Sequence, residues 1–131
     1  MLRILCKSKI HRATITKRDL HYAGSIGIDK ALLDASNILP NEMVQVLNLN
    51  NGARFQTYVI EESKGSGAIA LYGPAAYQGK IGDVVIILSY CLVEEKEARS
   101  ISPKKIFVDK DNKLIKTRKQ PYAAPKDSAV S

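Results

Sequence analysis

The chain has 131 residues, 45% hydrophobic and 25% charged, a globular balance that fits one domain around one core and leaves no room for a second. Its formal net charge is +7, but between residues 103 and 131 eight Lys or Arg stand against three Asp, so only +2 remains for the first 102 residues. The folded part is thus nearly neutral, which argues against a nucleic-acid groove spread over the domain. The excess sits in a segment whose end holds Pro121, Pro125 and little to bury, and residues 116–131 are expected to form a disordered basic tail after a single domain over 1–115. A chain this short buries about two-thirds of its unfolded surface, so association between protomers is a natural source of further stability.

In chain order, residues 2–16 alternate loosely between apolar and polar, with β-branched Thr14 and Thr16, and predict a strand on which Lys9 and His11 share a face. No uninterrupted apolar run marks a signal sequence in Met1–His11, and the longest aliphatic run, Val84–Leu88, is too short to span a bilayer. A cytoplasmic protein is expected. From Asp29 to Ile38 the apolar period changes to three and four, predicting a short helix with Asp29 as N-cap, ended before Pro40. Met43–Leu49 and Ala53–Ile60 read as strands joined at Asn51-Gly52, a hairpin signal. Alternation along the second run places Arg54, Gln56 and Tyr58 on one face and Phe55, Thr57 and Val59 on the other.

Gly65-Ser66-Gly67 predicts a turn, Ala68–Tyr72 a strand, Gly73-Pro74-Ala75-Ala76 a corner and Val84–Val93 a further strand. Glu94–Arg99 reads as one helical turn and Ile106–Asp109 as a last strand. Many short strands with Gly-rich corners and little helix indicate a mainly β fold, a small barrel or sandwich with one or two short helices. Cys6 and Cys91 lie in apolar runs without CxxC or His at ligand spacing, so buried free thiols and no metal are expected. His11 and His21 read as ordinary polar residues.

The chain lacks GxSxG, GxxxxGK[ST], GxGxxG and HExxH. What it offers is His21-Tyr22-Ala23-Gly24-Ser25-Ile26-Gly27. A Gly-Ser step is usually a turn, but it also suits an N to O acyl shift, in which the serine hydroxyl attacks a preceding carbonyl that glycine leaves open. β-Elimination of the resulting ester and hydrolysis leave a pyruvoyl group.

With Lys9-Ile10-His11-Arg12, Asp19-Leu20-His21-Tyr22, Gly24-Ser25, Ile28-Asp29, Leu33-Asp34-Ala35, Asn51-Gly52, Arg54-Phe55, Thr57-Tyr58, Gly73, Ala75-Ala76 and Gly82–Ile87, the chain resembles the bacterial aspartate α-decarboxylases over residues 1 to about 115. The resemblance implies a small double-psi β-barrel, a homotetramer with active sites between protomers, and autocatalytic cleavage of a zymogen at Gly24-Ser25 into a β chain (1–24) and an α chain (25–131). It implies that Ser25 becomes a covalent pyruvoyl cofactor that takes L-aspartate as a Schiff base, yielding β-alanine and CO2 for pantothenate and coenzyme A biosynthesis. Arg54 and Lys9 would bind the two substrate carboxylates, with Thr57, Gly73, Pro74 and Ala75 completing the binding site. Tyr58 would return a proton to carbon, and Thr57 would steady the Gly24 carbonyl during cleavage.

Three positions depart from the family's usual pattern: Ala23 replaces an acidic residue, Tyr72 an Asn, and Pro74 an Ala with a free N–H. These changes predict slow self-processing, or processing helped by an accessory maturation protein. Two other classes were compatible with the residues alone: a basic barrel binding single-stranded nucleic acid through its tail, and an inactive structural barrel. Aromatics at 6% with no basic-aromatic face disfavour the first.

Overall fold

β-Branched and aliphatic residues recur along most of the chain, and in the computed structural model, which describes residues 1–115, they form eight strands. These are β1 (Leu2–Thr14), β2 (Lys17–Asp19), β3 (Ser25–Asp29), β4 (Met43–Asn48), β5 (Arg54–Glu62), β6 (Ile69–Tyr72), β7 (Val84–Glu94) and β8 (Lys104–Phe107). Two short helices, α1 (Lys30–Ser36) and α2 (Glu95–Ala98), and a 3₁₀ segment, Gly73–Gln78, complete the described part. The expected basic tail lies outside the described residues.

The strands form one sheet in the order β2-β6-β3-β5-β4-β7-β1-β8. β1 and β2 stand near opposite ends of that order, yet only Ile15 and Thr16 separate them. The Ile15 amide donates to the Asp83 carbonyl (2.9 Å) and the Thr16 amide to the Ile69 carbonyl (2.8 Å), so one extended stretch serves both edges and closes the sheet. The mainly β barrel expected from the sequence is what the chain forms. Its interior holds Ile10, Ile26, Ile28, Val44, Val59 and Ile87, each 1% exposed or less. That burial supplies the principal stabilisation, at roughly 1.5–3 kcal/mol for each large aliphatic side chain.

Several local expectations change. Helix α1 ends before the predicted Ile38, because Asn37 turns left-handed (φ 59°) to cap it. Asp29 is the N-cap, its Oδ1 accepting from the Ala31 amide at 2.8 Å. The Asn51-Gly52 hairpin forms, but residues 49–53 all lie outside the strands, with Asn48 Oδ1 accepting from the Asn50 amide (2.8 Å). The two cysteines are free but half-buried rather than buried, since both lie toward the open ends of β1 and β7.

Candidate active site

The Gly24-Ser25 step falls where an irregular segment becomes β3, so one side of the bond lies in a loop and the other in a sheet. Ser25 has no exposed surface and pairs with Tyr72 of β6 in antiparallel register. On its other side β3 runs parallel to β5, with Ile26 beside Val59. Continued by two residues, that register sets Ser25 level with Tyr58 and Gly24 level with Thr57. Paired residues share a sheet face. Ile26 and Ile28 point into the core, so Ser25, Tyr58 and Tyr72 form a row on the outer wall, the serine between two phenols. Thr57 alternates to the inner side, as predicted, at the height of Gly24.

Neighbouring segments constrain the loop half. Gly73, at φ 61°, faces the backbone of the 22–24 segment: a Cβ there would lie 2.6 Å from the Tyr22 carbonyl oxygen and 2.8 Å from the Gly24 nitrogen. Only glycine allows the 3₁₀ segment to approach so closely. Pro74 sits at the start of that segment, where its fixed φ suits the turn, and its Cδ lies 3.2 Å from the point where a Cβ of Gly24 would stand. Ala75 is nearly buried behind it. Arg18 donates through Nε (2.9 Å) and Nη2 (2.5 Å) to the Ala76 carbonyl, tying β2 to the same segment. In its present rotamer the Ser25 hydroxyl donates to the Ala23 carbonyl at 3.1 Å.

Tyr72 is 5% exposed, and its hydroxyl donates to Glu62 Oε2 at 2.7 Å. Burial, and then the Glu62 carboxylate beside it, push the phenol well above its ordinary value, so it stays protonated as a donor. The Tyr22 ring lies against it, with centroids 4.6 Å apart, and Lys17 Nζ stands 5.5 Å from its centroid. Tyr58, by contrast, is 37% exposed.

The two expected carboxylate binders are on the same outer wall but farther away. Arg54 lies four residues along β5 from Tyr58, roughly 13 Å at about 3.3 Å per residue, and its Nη1 donates to Gln45 Oε1 at 2.8 Å. Lys9 is on β1, four strands from Ser25 through β5, β4 and β7, or about 19 Å along the wall at about 4.8 Å per strand. Among the described residues neither cation makes an ion pair. Burial, and then Lys105 opposite it in register, lower the Lys9 pKa. One chain therefore brings together Gly24, Ser25, Thr57, Tyr58, Gly73, Pro74 and Ala75, but not Lys9.

Two site neighbours were missed from the sequence, Glu62 and Gly27. Glu62 shares the face of Arg54, Gln56 and Tyr58 by strict alternation, so its face was legible and its partner was not. Among the described residues no cluster of three or more His, Cys, Asp or Glu is placed to hold a metal, and no helix is long and apolar enough to cross a membrane.

Comparison with known proteins gives a consistent result. The profile of a family described as aspartate decarboxylase matches residues 1–115. An aspartate 1-decarboxylase of Carboxydothermus hydrogenoformans is 56% identical over 120 residues, covering 92% of this chain and 94% of the relative. One from Thermoanaerobacter pseudethanolicus is 55% identical over 115 residues, covering 88% and 98%. One from Leptothrix cholodnii is 48% identical over 130 residues, covering 99% of each.

Proposed function

This chain belongs to the aspartate decarboxylase family, and from that premise we propose that it converts L-aspartate to β-alanine and CO2 on a pyruvoyl group made from its own Ser25. The product serves pantothenate and coenzyme A biosynthesis. The observation that carries this reading is the Gly24-Ser25 bond at the loop-to-strand junction, pressed by Gly73 and flanked by Tyr58 and Tyr72. The alternatives of a nucleic-acid-binding barrel and an inactive structural barrel give way to the family assignment.

Maturation uses groups of the chain itself. The Ser25 Oγ turns from the Ala23 carbonyl to attack the Gly24 carbonyl carbon; the Gly24–Ser25 C–N bond breaks and the freed amine takes up the proton. Loss of the Ser25 α-proton expels the Gly24 carboxylate and leaves dehydroalanine. Water then replaces the nitrogen, which departs as ammonia, and a ketone caps the chain that begins at residue 25. Thr57, level with Gly24, is the donor that steadies the carbonyl oxygen as charge develops. The residues fit the making of such a group, because Ser25 is buried at the start of β3 and the close approach of Gly73 fixes the Tyr22–Gly24 backbone before it.

The pyruvoyl group supplies the electron sink for loss of CO2. Tyr58, exposed beside it, returns a proton to the carbon that lost its carboxylate. Arg54 and Lys9, free of acidic partners, take the two carboxylates. Since Lys9 lies about four strands from Ser25 of its own chain, the complete site forms between protomers, consistent with a homotetramer. Ala23, Tyr72 and Pro74, where the chain departs from the family's usual pattern, make the cut slow or dependent on an accessory maturation protein.

Intact-protein mass spectrometry tests this reading. The chain should resolve into fragments 1–24 and 25–131, the latter with serine replaced by pyruvoyl, whereas Ser25→Ala should remain single and inactive. Normal cleavage of Ser25→Ala overturns the proposal. A time course on purified precursor tests the accessory protein, for rapid and complete cleavage without help removes the need for it.

A further inference from the structure

Glu62 stands four residues beyond Tyr58 on the outer face of β5, yet its carboxylate does not extend to solvent. It turns back across β3 to reach the Tyr72 hydroxyl. The path exists because residue 27 has no side chain: a Cβ on Gly27 would lie 2.1 Å from Glu62 Oε2, 2.8 Å from its Cδ and 2.9 Å from its Cγ. Gly27 is on the same face as Ser25, two residues along β3. The sequence therefore opens a slot in the row next to the scissile bond, and an acidic side chain fills it.

The contacts continue from that carboxylate to the bond itself. Tyr72 pairs with Ser25 across the sheet, its ring packs at a tilt against Tyr22, and it leads directly into Gly73, which presses on the Tyr22 carbonyl and the Gly24 backbone. A phenol this deeply buried needs an acceptor to stay in place, and Glu62 is the one it has. Without the acceptor, the unsatisfied hydroxyl favours rotamers that reach water and withdraw the ring from Tyr22.

We propose that Glu62 is a positioning residue for maturation, holding Tyr72 through the slot at Gly27 and thereby fixing residues 22–24 for the attack of Ser25 on Gly24. The assignment rests on the cleavage reading above. It gives the Tyr72 hydroxyl a task in this chain, distinct from the bulk that sets Tyr72 apart from the family's usual Asn, and it makes Gly27, Glu62 and Tyr72 one unit.

The test compares the cleavage rates of full-length precursors by intact mass, with thermal unfolding of each variant as a check on the barrel. Glu62→Ala and Tyr72→Phe should each be cut about tenfold more slowly, the effect of losing one charge-assisted hydrogen bond. The double variant should be no slower than either alone, because both remove the same bond. Glu62→Gln, which keeps an oxygen acceptor, should recover most of the rate. Gly27→Ala should behave like Glu62→Ala although both partners are present, since its Cβ evicts the carboxylate. Should Glu62→Ala not fold, Tyr72→Phe and Glu62→Gln decide. Cleavage of Glu62→Ala at the parent rate, or multiplied effects in the double variant, overturns the Glu62 assignment alone. A Ser25→Ala variant that is cut at the parent rate overturns the Ser25 reading and this proposal with it.

Discussion

Two buried residues make stability fall with falling pH, each in its own window. Asp29 caps α1 and also gathers the 65–67 turn, its oxygens accepting from the Ala31, Gly65 and Gly67 amides at 2.8 Å each. Burial raises its pKa, but these three N–H groups outweigh it and hold the carboxyl below its ordinary 3.8. A depressed carboxyl stabilises the fold above the unfolded value, and that contribution is lost as pH falls from 3.8 toward the folded value. Asp29→Ala should cost about 2–4 kcal/mol near neutrality, and in urea titrations its deficit should shrink below that pH. His11, edge-on to Phe107, is held neutral by burial and then by Lys9, Arg12 and Lys105, which lower its pKa to about 4 from 6.5. The unfolded chain then binds more protons across that interval, so stability should fall by about 3 kcal/mol from pH 6.5 to 4. His11→Gln should flatten that slope. At the site, Arg54→Ala should lower kcat/KM for aspartate roughly 30- to 100-fold through loss of a charged pair, while cleavage at Gly24-Ser25 proceeds.

Among the elements, β5 was the most legible, because alternation from Arg54 to Val59 fixes which side chains leave the barrel. Arg54 and Tyr58 came out on the outer face and Val59 in the core, as expected. The strand carrying Ser25 was not legible. β3 has five residues including a glycine, and what makes it a strand is pairing to β5 and β6, more than thirty residues away. Its Ile28 also fits the helical period that follows, although the helix starts at the expected cap, Asp29. The corner at Gly73–Ala76 was recognised as a turn, but its pressure on the 22–24 segment was not. That contact predicts a specific failure: Gly73→Ala demands a left-handed alanine and a Cβ within 3 Å of two backbone groups. It should leave a folded barrel whose 22–24 segment is displaced and whose precursor stays uncut by intact mass, whereas Gly52→Ala, also at positive φ but with nothing within 4 Å, should still be cut.

For the whole molecule, the placement of the site on the outer wall is decisive. Met43, Tyr58 and Tyr90 leave apolar surface exposed beside Gln45, on a wall that one barrel does not cover. The proposed sharing of the site between protomers is testable by complementation. Co-assembled Ser25→Ala and Lys9→Ala chains, each inactive alone, should regain a minority of parent activity, because a Lys9 from the first can serve a pyruvoyl group on the second. Absence of recovery in verified mixed oligomers would place both residues' work in one chain.

Several features depended on sequence alone: the mainly β class follows from period-two patterning, the Asp29 cap from a side chain that bonds its own neighbours, and the candidacy of Gly24-Ser25 from two adjacent residues set among the family's motifs. All are local, set by atoms a few residues apart. The row Tyr58-Ser25-Tyr72, the slot at Gly27 that admits Glu62, and the distance of Lys9 from Ser25 were decided only by tertiary structure. Each depends on which strand lies beside which and in what register, and that is settled by closure of the barrel around its common core.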